Sequence, residues 1–213
     1  IKSHLQKEET LFHRGIKCLS LFFIDEVAKY RDASGNGETV GYGKVFEEEY
    51  AAAIADRVAN PTTDDPYDPT FLRYLRRDEP HAVHDGYFSI DKNNRVVESK
   101  KEKKAERENG IGINDEDARR AYDLILKDKE RLLSFDEPVR FIFSHSALRE
   151  GWDNPNIFQI CTLKESGSET SKRQEVGRGM RLAVDQDGNR QDAILLGPDE
   201  VHRVNLLTVI ASE

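Results

Sequence analysis

Two polar stretches of this 213-residue chain hold residue types at spacings that could do chemistry. In Thr170–Leu182 (TSKRQEVGRGMRL), Gln174, Arg178 and Arg181 stand at i, i+4 and i+7, so on a helix capped by Thr170 or Ser171 all three share one face. Arginine stays charged at any working pH, and its planar fork of donors matches phosphate oxygens. Gly177 and Gly179 frame Arg178, and a glycine inside a helix costs about 1 kcal/mol relative to alanine. Two such glycines make sense where the backbone packs closely or holds the arginine at a fixed angle. The competing explanation is a solvated basic helix face. The second stretch, Ser144–Asn156 (SHSALREGWDNPN), leaves the end of a buried apolar run, where loops of an open α/β sheet line the ligand crevice. Its alternative is an ordinary turn around a buried tryptophan.

The elements that must position these stretches follow from the hydrophobic pattern. Ile1, Leu5, Leu11 and Phe12 recur at roughly helical spacing from Ile1 to Arg14, and Gly15 ends that helix. Near-unbroken apolar runs of strand length occur at Lys17–Ile24, Val139–Phe143, Ile157–Leu163 and Val204–Ile210, with a shorter one at Ala193–Leu196. Such runs predict strands covered on both faces. Asn114–Leu133 predicts an amphipathic helix carried by Ala118, Ala121, Tyr122, Ile125 and Leu132, and Lys44–Ala59 a second one carried by Val45, Phe46, Tyr50, Ile54 and Val58. Buried strands alternating with amphipathic helices imply an α/β layered fold with a mainly parallel sheet. Residues 60–112 read as an inserted segment: the proline- and aspartate-rich Asn60–Thr70 is irregular, Ala82–Ile90 with Arg95–Glu98 forms a small two-stranded excursion, and the charge run Ser99–Gly110 is partly disordered.

Composition narrows the function classes. Lysine plus arginine total 32 against 40 acidic residues, giving a net charge of −8, so any nucleic-acid contact must be local rather than spread over the whole surface. No apolar run approaches the roughly 20 residues of a bilayer helix, so no membrane partner is expected. Cys18 and Cys161 sit inside apolar runs, the pattern of buried thiols in a reducing cytoplasm. The first residue is Ile1, so the expectation is a fragment of a longer polypeptide.

The two polar stretches resemble a known pair. Ser146–Pro155 (SALREGWDNP) is similar to motif V, and Gln174–Arg181 (QEVGRGMR) to motif VI, of superfamily two helicases and translocases. Leu19–Asp25 (LSLFFID), Val83–Lys92 (VHDGYFSIDK), Leu132–Leu163 and Arg173–Leu182 resemble the restriction (Res) subunit of type III restriction-modification enzymes, a likeness running from the first helix to about Asn189. It implies that residues 1–213 form a single RecA-like helicase C-terminal domain, the second of two motor domains. The chain has no GxxxxGK[ST] phosphate loop, in keeping with that assignment. By resemblance, Arg178 and Arg181 act as arginine fingers on ATP held with Mg2+ mainly by the first domain, and Gln174 positions the nucleotide or the attacking water. Gly151, Asp153 and Gly177 lie at the nucleotide, and Ser144, Ser146 and Arg149 touch the DNA backbone. The implied partners are duplex DNA, the first RecA-like domain and the nuclease domain of the same polypeptide, and the modification (methyltransferase) subunit. The isolated fragment is expected to be inactive.

Two other classes compete. Val96–Lys100 (VVESK) contains an ExK triplet, and Glu98 with Lys100 could serve magnesium-dependent phosphodiester cleavage, with Asp85 or Asp91 upstream. Alternatively the chain is a non-catalytic docking module for the modification subunit. His81, His84 and Asp85 form only a loose metal-ligand group, and no metal site is assigned.

Overall fold

The computed structural model describes residues 1–32, 39–60, 69–88, 120–121, 123–145, 154–164, 173, 176–177 and 179–211. Five strands, β1 (Leu19–Phe23), β2 (His84–Tyr87), β3 (Phe141–Ser144), β4 (Ile157–Thr162) and β5 (Thr208–Ala211), form one sheet in the order β2-β3-β1-β4-β5. All four pairings are parallel, with Leu21 opposite both Ile142 and Ile160. The expected RecA-like α/β layering is therefore present, and the sheet is wholly rather than mainly parallel.

Helices α1 (Lys2–Phe12), α2 (Tyr42–Ala59) and α3 (Pro69–Arg77) accompany one core. That core joins Leu5, Phe46, Tyr50, Phe71 and Tyr74 to Phe22, Phe141 and Phe143 of the sheet. On the opposite face Leu19, Leu21 and Phe23 meet Leu124, Ile125 and Leu132. The strict alternation along β1, with all five of its residues buried, is what a central parallel strand requires. Aromatic rings dominate the first core: Phe22 stacks on Phe143 at 4.9 Å, and Tyr30 on Phe143 at 4.6 Å. Cys18 and Cys161 are buried free thiols, as expected.

Several elements differ from the sequence expectation, each for a local reason. Ala193–Leu196 is not a strand but a single turn of helix, α5. The Asp192 carboxylate accepts hydrogen bonds from the Ile194 and Leu195 amides, and Gly197 at φ +81° ends the turn. The run Val204–Ile210 divides: helix α6 (Pro198–Val204) takes its first residue, and β5 begins only at Thr208. The described part of the helix expected over Asn114–Leu133 is interrupted. A π-helical turn at Asp123–Lys127 is closed by the Asp128 amide on the Asp123 carbonyl at 2.9 Å, and the Asp128 side chain then caps α4 (Lys129–Leu133). The wider turn lets Leu124, Ile125 and Leu132 all reach the core. Within residues 60–112, the reading of Ala82–Ile90 as a separate excursion is corrected: His84–Tyr87 is an edge strand of the main sheet, paired with β3. Pro69–Arg77 likewise contributes Phe71, Tyr74 and Leu75 to the main core. The charge run at 99–110 lies outside the described residues.

Charged groups are also buried here, which the apolar pattern did not foreshadow. The Arg140 guanidinium is fully enclosed, 3.5 Å from both Glu8 carboxylate oxygens and 3.5 Å from Asp78 Oδ2, with its centre 4.9 Å from the Tyr74 ring centroid. Burial by itself raises the Glu8 carboxyl, but Arg140 and His4 outweigh it and hold that group down at about 2. Lys17 donates to the Ser134 and Glu137 carbonyls at 2.9 and 2.5 Å; burial, reinforced by the Arg140 charge, lowers its ammonium to about 7.

Candidate functional site

The carboxyl ends of three adjacent strands are tied into one edge. The Ile24 amide donates to the Ser144 carbonyl at 2.9 Å, and the Leu163 amide to the Phe23 carbonyl at 2.8 Å. Asp25, immediately after β1, accepts from Lys29, from the Glu26 amide at 3.0 Å and from the Tyr42 hydroxyl at 3.3 Å. Lys164, just after β4, places Nζ 5.0 Å from the Phe23 ring centroid and 3.4 Å from the His145 carbonyl oxygen. Ser144 ends β3 at this edge, fully buried, and its Oγ has no hydrogen-bond partner among the described residues. A buried hydroxyl without a partner sits at an energetic disadvantage of about 1–3 kcal/mol. The chain then leaves the described residues at 146–153, where Ser146, Arg149, Gly151 and Asp153 lie.

It returns at Asn154, on the amino side of β4. The Asn154 side chain accepts from the Asn156 amide at 3.0 Å, and Asn156 in turn clasps Val184 with both functional groups. Its Oδ1 accepts from the Val184 amide and its Nδ2 donates to the Val184 carbonyl, each at 2.9 Å. Asn205 supplies a second clasp: Oδ1 accepts from the Ala183 amide at 2.7 Å, while Nδ2 donates to the Gln191 and Val201 carbonyls. Both asparagines mimic a backbone amide with donor and acceptor on one planar group, which serine or aspartate cannot do. Nothing in the local sequence marks the role of Asn156 and Asn205, because their partners lie 28 and 22 residues away.

These clasps fix the segment that carries Arg181. Val176 and Gly177 are helical, Gly179 lies in a turn and Arg181 in a bend, so Arg181 stands beyond the helix rather than on a face shared over Thr170–Leu182. Gly179 is the pivot. A Cβ there would lie 2.7 Å from Leu207 Cδ1 and 3.2 Å from Ile160 Cδ1, so the turn lies directly on β4 and on the approach to β5. The close approach expected of a glycine is thus present at Gly179, whereas a Cβ on Gly177 would meet nothing within 4 Å among the described residues.

Held between Gly179 and Ala183, Arg181 is exposed, and its Nη1 donates to the Met180 carbonyl at 2.9 Å and the Gly177 carbonyl at 3.4 Å. Those are carbonyls at the carboxyl end of a helical turn, where a cation is favoured. No hydrogen bond or ion pair joins Arg181 to a carboxylate among the described residues. The side chain borders an open cavity of about 460 Å³ together with Pro155, Met180, Leu182, Val184 and Arg190. Arg178 and Gln174 lie outside the described residues. Of the expected site residues that are described, Arg181 and Gly177 are therefore neighbours, whereas Ser144 sits at the opposite end of the strands: Asn156 precedes β4, while Ser144 pairs with Phe23, the last residue of β1.

His81, His84 and Asp85 do not form a metal site. His84 is engaged by Tyr30 and Glu47, and Asp85 by Arg31. Among the described residues no cluster of three or more His, Cys, Asp or Glu side chains could hold a metal ion, and no helix is long and apolar enough to cross a membrane. Glu98 and Lys100 lie outside the described residues.

No protein-family model matches the chain. Three curated proteins are similar to it: the EcoPI Res subunit of Escherichia phage P1 (46% identity over 188 residues), the EcoP15I Res subunit of Escherichia coli (45% over 190) and the StyLTI Res subunit of Salmonella typhimurium strain LT2 (37% over 211). All three are described as Type III restriction-modification enzyme Res subunits. The alignments cover 87%, 87% and 89% of this chain but only 17%, 17% and 19% of the relatives. Nearly the whole chain is thus homologous to one segment of Type III restriction-modification enzyme Res subunits, a segment that folds as a parallel α/β layer.

Proposed function

We propose that this chain is the second motor domain of an ATP-dependent DNA translocase within a Type III restriction endonuclease. The observation that carries the reading is Arg181: a guanidinium exposed at an open cavity, held among the described residues only by main-chain carbonyls, on a segment clamped by Gly179 on one side and by Asn156 and Asn205 on the other. A group so placed can exchange two carbonyl acceptors for phosphate oxygens without unfolding anything, and the backbone that aims it stays rigid. ATP with Mg2+, held mainly by the first motor domain, supplies the phosphoryl group whose transfer drives the motor. On this side of the cleft, Arg178 and Arg181 neutralise negative charge developing on the phosphate oxygens, and Gln174 orients the nucleotide or water. Gly151, Asp153 and Gly177 line the approach to the nucleotide, and Ser146 and Arg149 meet the DNA backbone. Ser144, at the carboxyl end of β3, is the third residue of that DNA-contacting group in this reading. Partners in this reading are duplex DNA, the first motor and nuclease domains, and the modification subunit.

DNA-stimulated ATP hydrolysis by a complete Res subunit tests it. Arg181→Ala lowers turnover by about 10³-fold, while DNA binding and thermal stability are retained. Undiminished turnover in that variant, or ATP hydrolysis by the 213-residue chain alone, defeats the reading.

A further inference from the structure

At the far edge of the sheet from Arg181, between β2 and α2, lies an open polar cavity of about 630 Å³. Its floor is a hydrogen-bonded chain. The Tyr30 hydroxyl donates to His84 Nδ1 at 2.6 Å, His84 Nε2 donates to Glu47 Oε1 at 3.1 Å, and the Thr39 hydroxyl donates to the same oxygen at 2.8 Å. Burial lowers the His84 imidazole to about 4 against the pull of Glu47, so the ring is neutral and this arrangement of protons satisfies every member. The remaining wall carboxylate, Asp85, is likewise engaged: it accepts from Arg31 Nη2 at 2.7 Å and from the Gly86 amide at 2.7 Å.

The cations around the cavity are not balanced in this way. With the described residues, the exposed side chains of Lys44, His81 and Arg120 form no hydrogen bond or ion pair, although all three border the cavity. Arg31 spends one arm of its fork on Asp85, yet its Nε is buried with no partner among the described residues. Among the described residues, three permanent positive charges (Arg31, Lys44, Arg120) thus face two negative ones (Glu47, Asp85). The excess is positive, in a chain whose net charge is −8. Donors from the segment after β1, from α2, from the turn before β2 and from residue 120 converge from different directions. A tetrahedral oxyanion accepts hydrogen bonds from many directions, whereas a planar carboxylate is matched best by a single fork.

We propose that this cavity is a phosphate-binding site, separate from the Arg181 segment, in which Arg31 Nε, Lys44, His81 and Arg120 donate to the oxygens of one phosphate group. That phosphate comes either from a small phosphate compound or from a diester of a DNA backbone laid along the β2 edge. The site does not depend on the motor reading above.

Titration calorimetry of the purified protein tests it with two probes: inorganic phosphate, and a short duplex with 5′-hydroxyl ends whose only phosphates are diesters. Binding of either probe that weakens by about tenfold or more in the double variant Lys44→Ala/Arg120→Ala, at unchanged Tm, supports the site. Sensitivity of the phosphate arm alone assigns a small phosphate compound, and sensitivity of the duplex arm assigns the DNA backbone. Absence of binding by both probes, or binding indifferent to the double variant, overturns the proposal. A second readout needs no variant: the His81 imidazole resonances shift when a bound probe is added to the unmutated protein, and an unchanged spectrum at saturation overturns it equally.

Discussion

The two ends of the sheet are built to different standards. On the β2-β3-β1 side, helices α1 to α3 close an aromatic core, and the charges inside it are matched: Arg140 faces Glu8 and Asp78, and Lys17 meets two carbonyls. On the β4-β5 side, α5 buries no residue, and Ile194 is 95% exposed. Val209 and Ile210, which point to opposite faces of β5, are 45% and 41% exposed. Order there comes from asparagine clasps on the main chain together with a small apolar cluster in which Phe158, Ala183 and Val204 meet Leu11, Ile16 and Cys18. A parallel sheet normally has both faces covered. The contrast therefore separates a densely packed scaffold from a platform that presents Arg181 at the border of an open cavity.

The largest effect that can sharpen this contrast is at Arg140. Arg140→Ala strands Glu8 as an unpaired buried charge and lowers stability to urea by about 3–5 kcal/mol; a loss under 1 kcal/mol would show that the scaffold side does not rest on its ion cluster. Acid attacks the same cluster. The Glu8 carboxyl is held at about 2 in the folded chain, so its stabilisation is complete above the ordinary carboxylate value of 4.5 and disappears as pH falls from there toward 2. Lys17 gives a slope of the same sign in a higher pH window, there because the cost of burying its ammonium is relieved as it deprotonates. With a folded value of about 7 against 10.5, the unfolded chain holds more protons between those limits, so this group makes stability rise with pH from 7 to 10.5. Urea titrations at stepped pH read both slopes, and their absence in Glu8→Gln and Lys17→Met assigns them.

On the platform side the effects are smaller and local. Asn156→Ala removes both bonds to Val184 and costs about 1–3 kcal/mol. It also speeds amide exchange at Ala183 and Val184 while leaving β1 and β3 protected; uniform loss of protection would erase the distinction between the two ends. The two glycines give the finest test. Gly179→Ala must displace Leu207 and Ile160 side chains and is destabilising, whereas Gly177→Ala enters open space and stabilises by up to about 1 kcal/mol. If Gly177→Ala nevertheless lowers ATP turnover in a complete Res subunit, the space beside Gly177 is needed by a group outside this chain. If turnover is unaffected, that glycine has no role at the nucleotide.

Much of the scaffold was legible in the residues. The run Leu19–Phe23 could hardly be anything but a central strand, and Val139–Phe143 and Ile157–Leu163 announced its two neighbours, because uninterrupted apolar side chains need cover on both faces. His84–Tyr87 was harder. Four residues containing histidine, aspartate and glycine do not read as a buried strand, and only the pairing with β3 and the partners Tyr30, Glu47 and Arg31 make them one. Ala193–Leu196 deceived in the other direction, since an apolar tetrapeptide fits either period and Asp192 and Gly197 decided for a helical turn. At the candidate site, arginine spacing singled out Arg181 but placed it on a helix that stops short of it. Pairing two loops by their polarity likewise did not reveal that Ser144 and Arg181 stand at opposite ends of the strands.

Residue types and their spacing alone determined the layered α/β class, the central strands and the buried thiols, because each rests on short-range periodicity or on the chemistry of a single side chain. Tertiary structure alone decided which charges are buried together, which glycine is pressed against a neighbour and which cations find no counterpart among the described residues. Those properties depend on side chains tens to more than a hundred residues apart in the chain: Arg140 finds Glu8 across 132 positions, and Asn156 finds Val184 across 28.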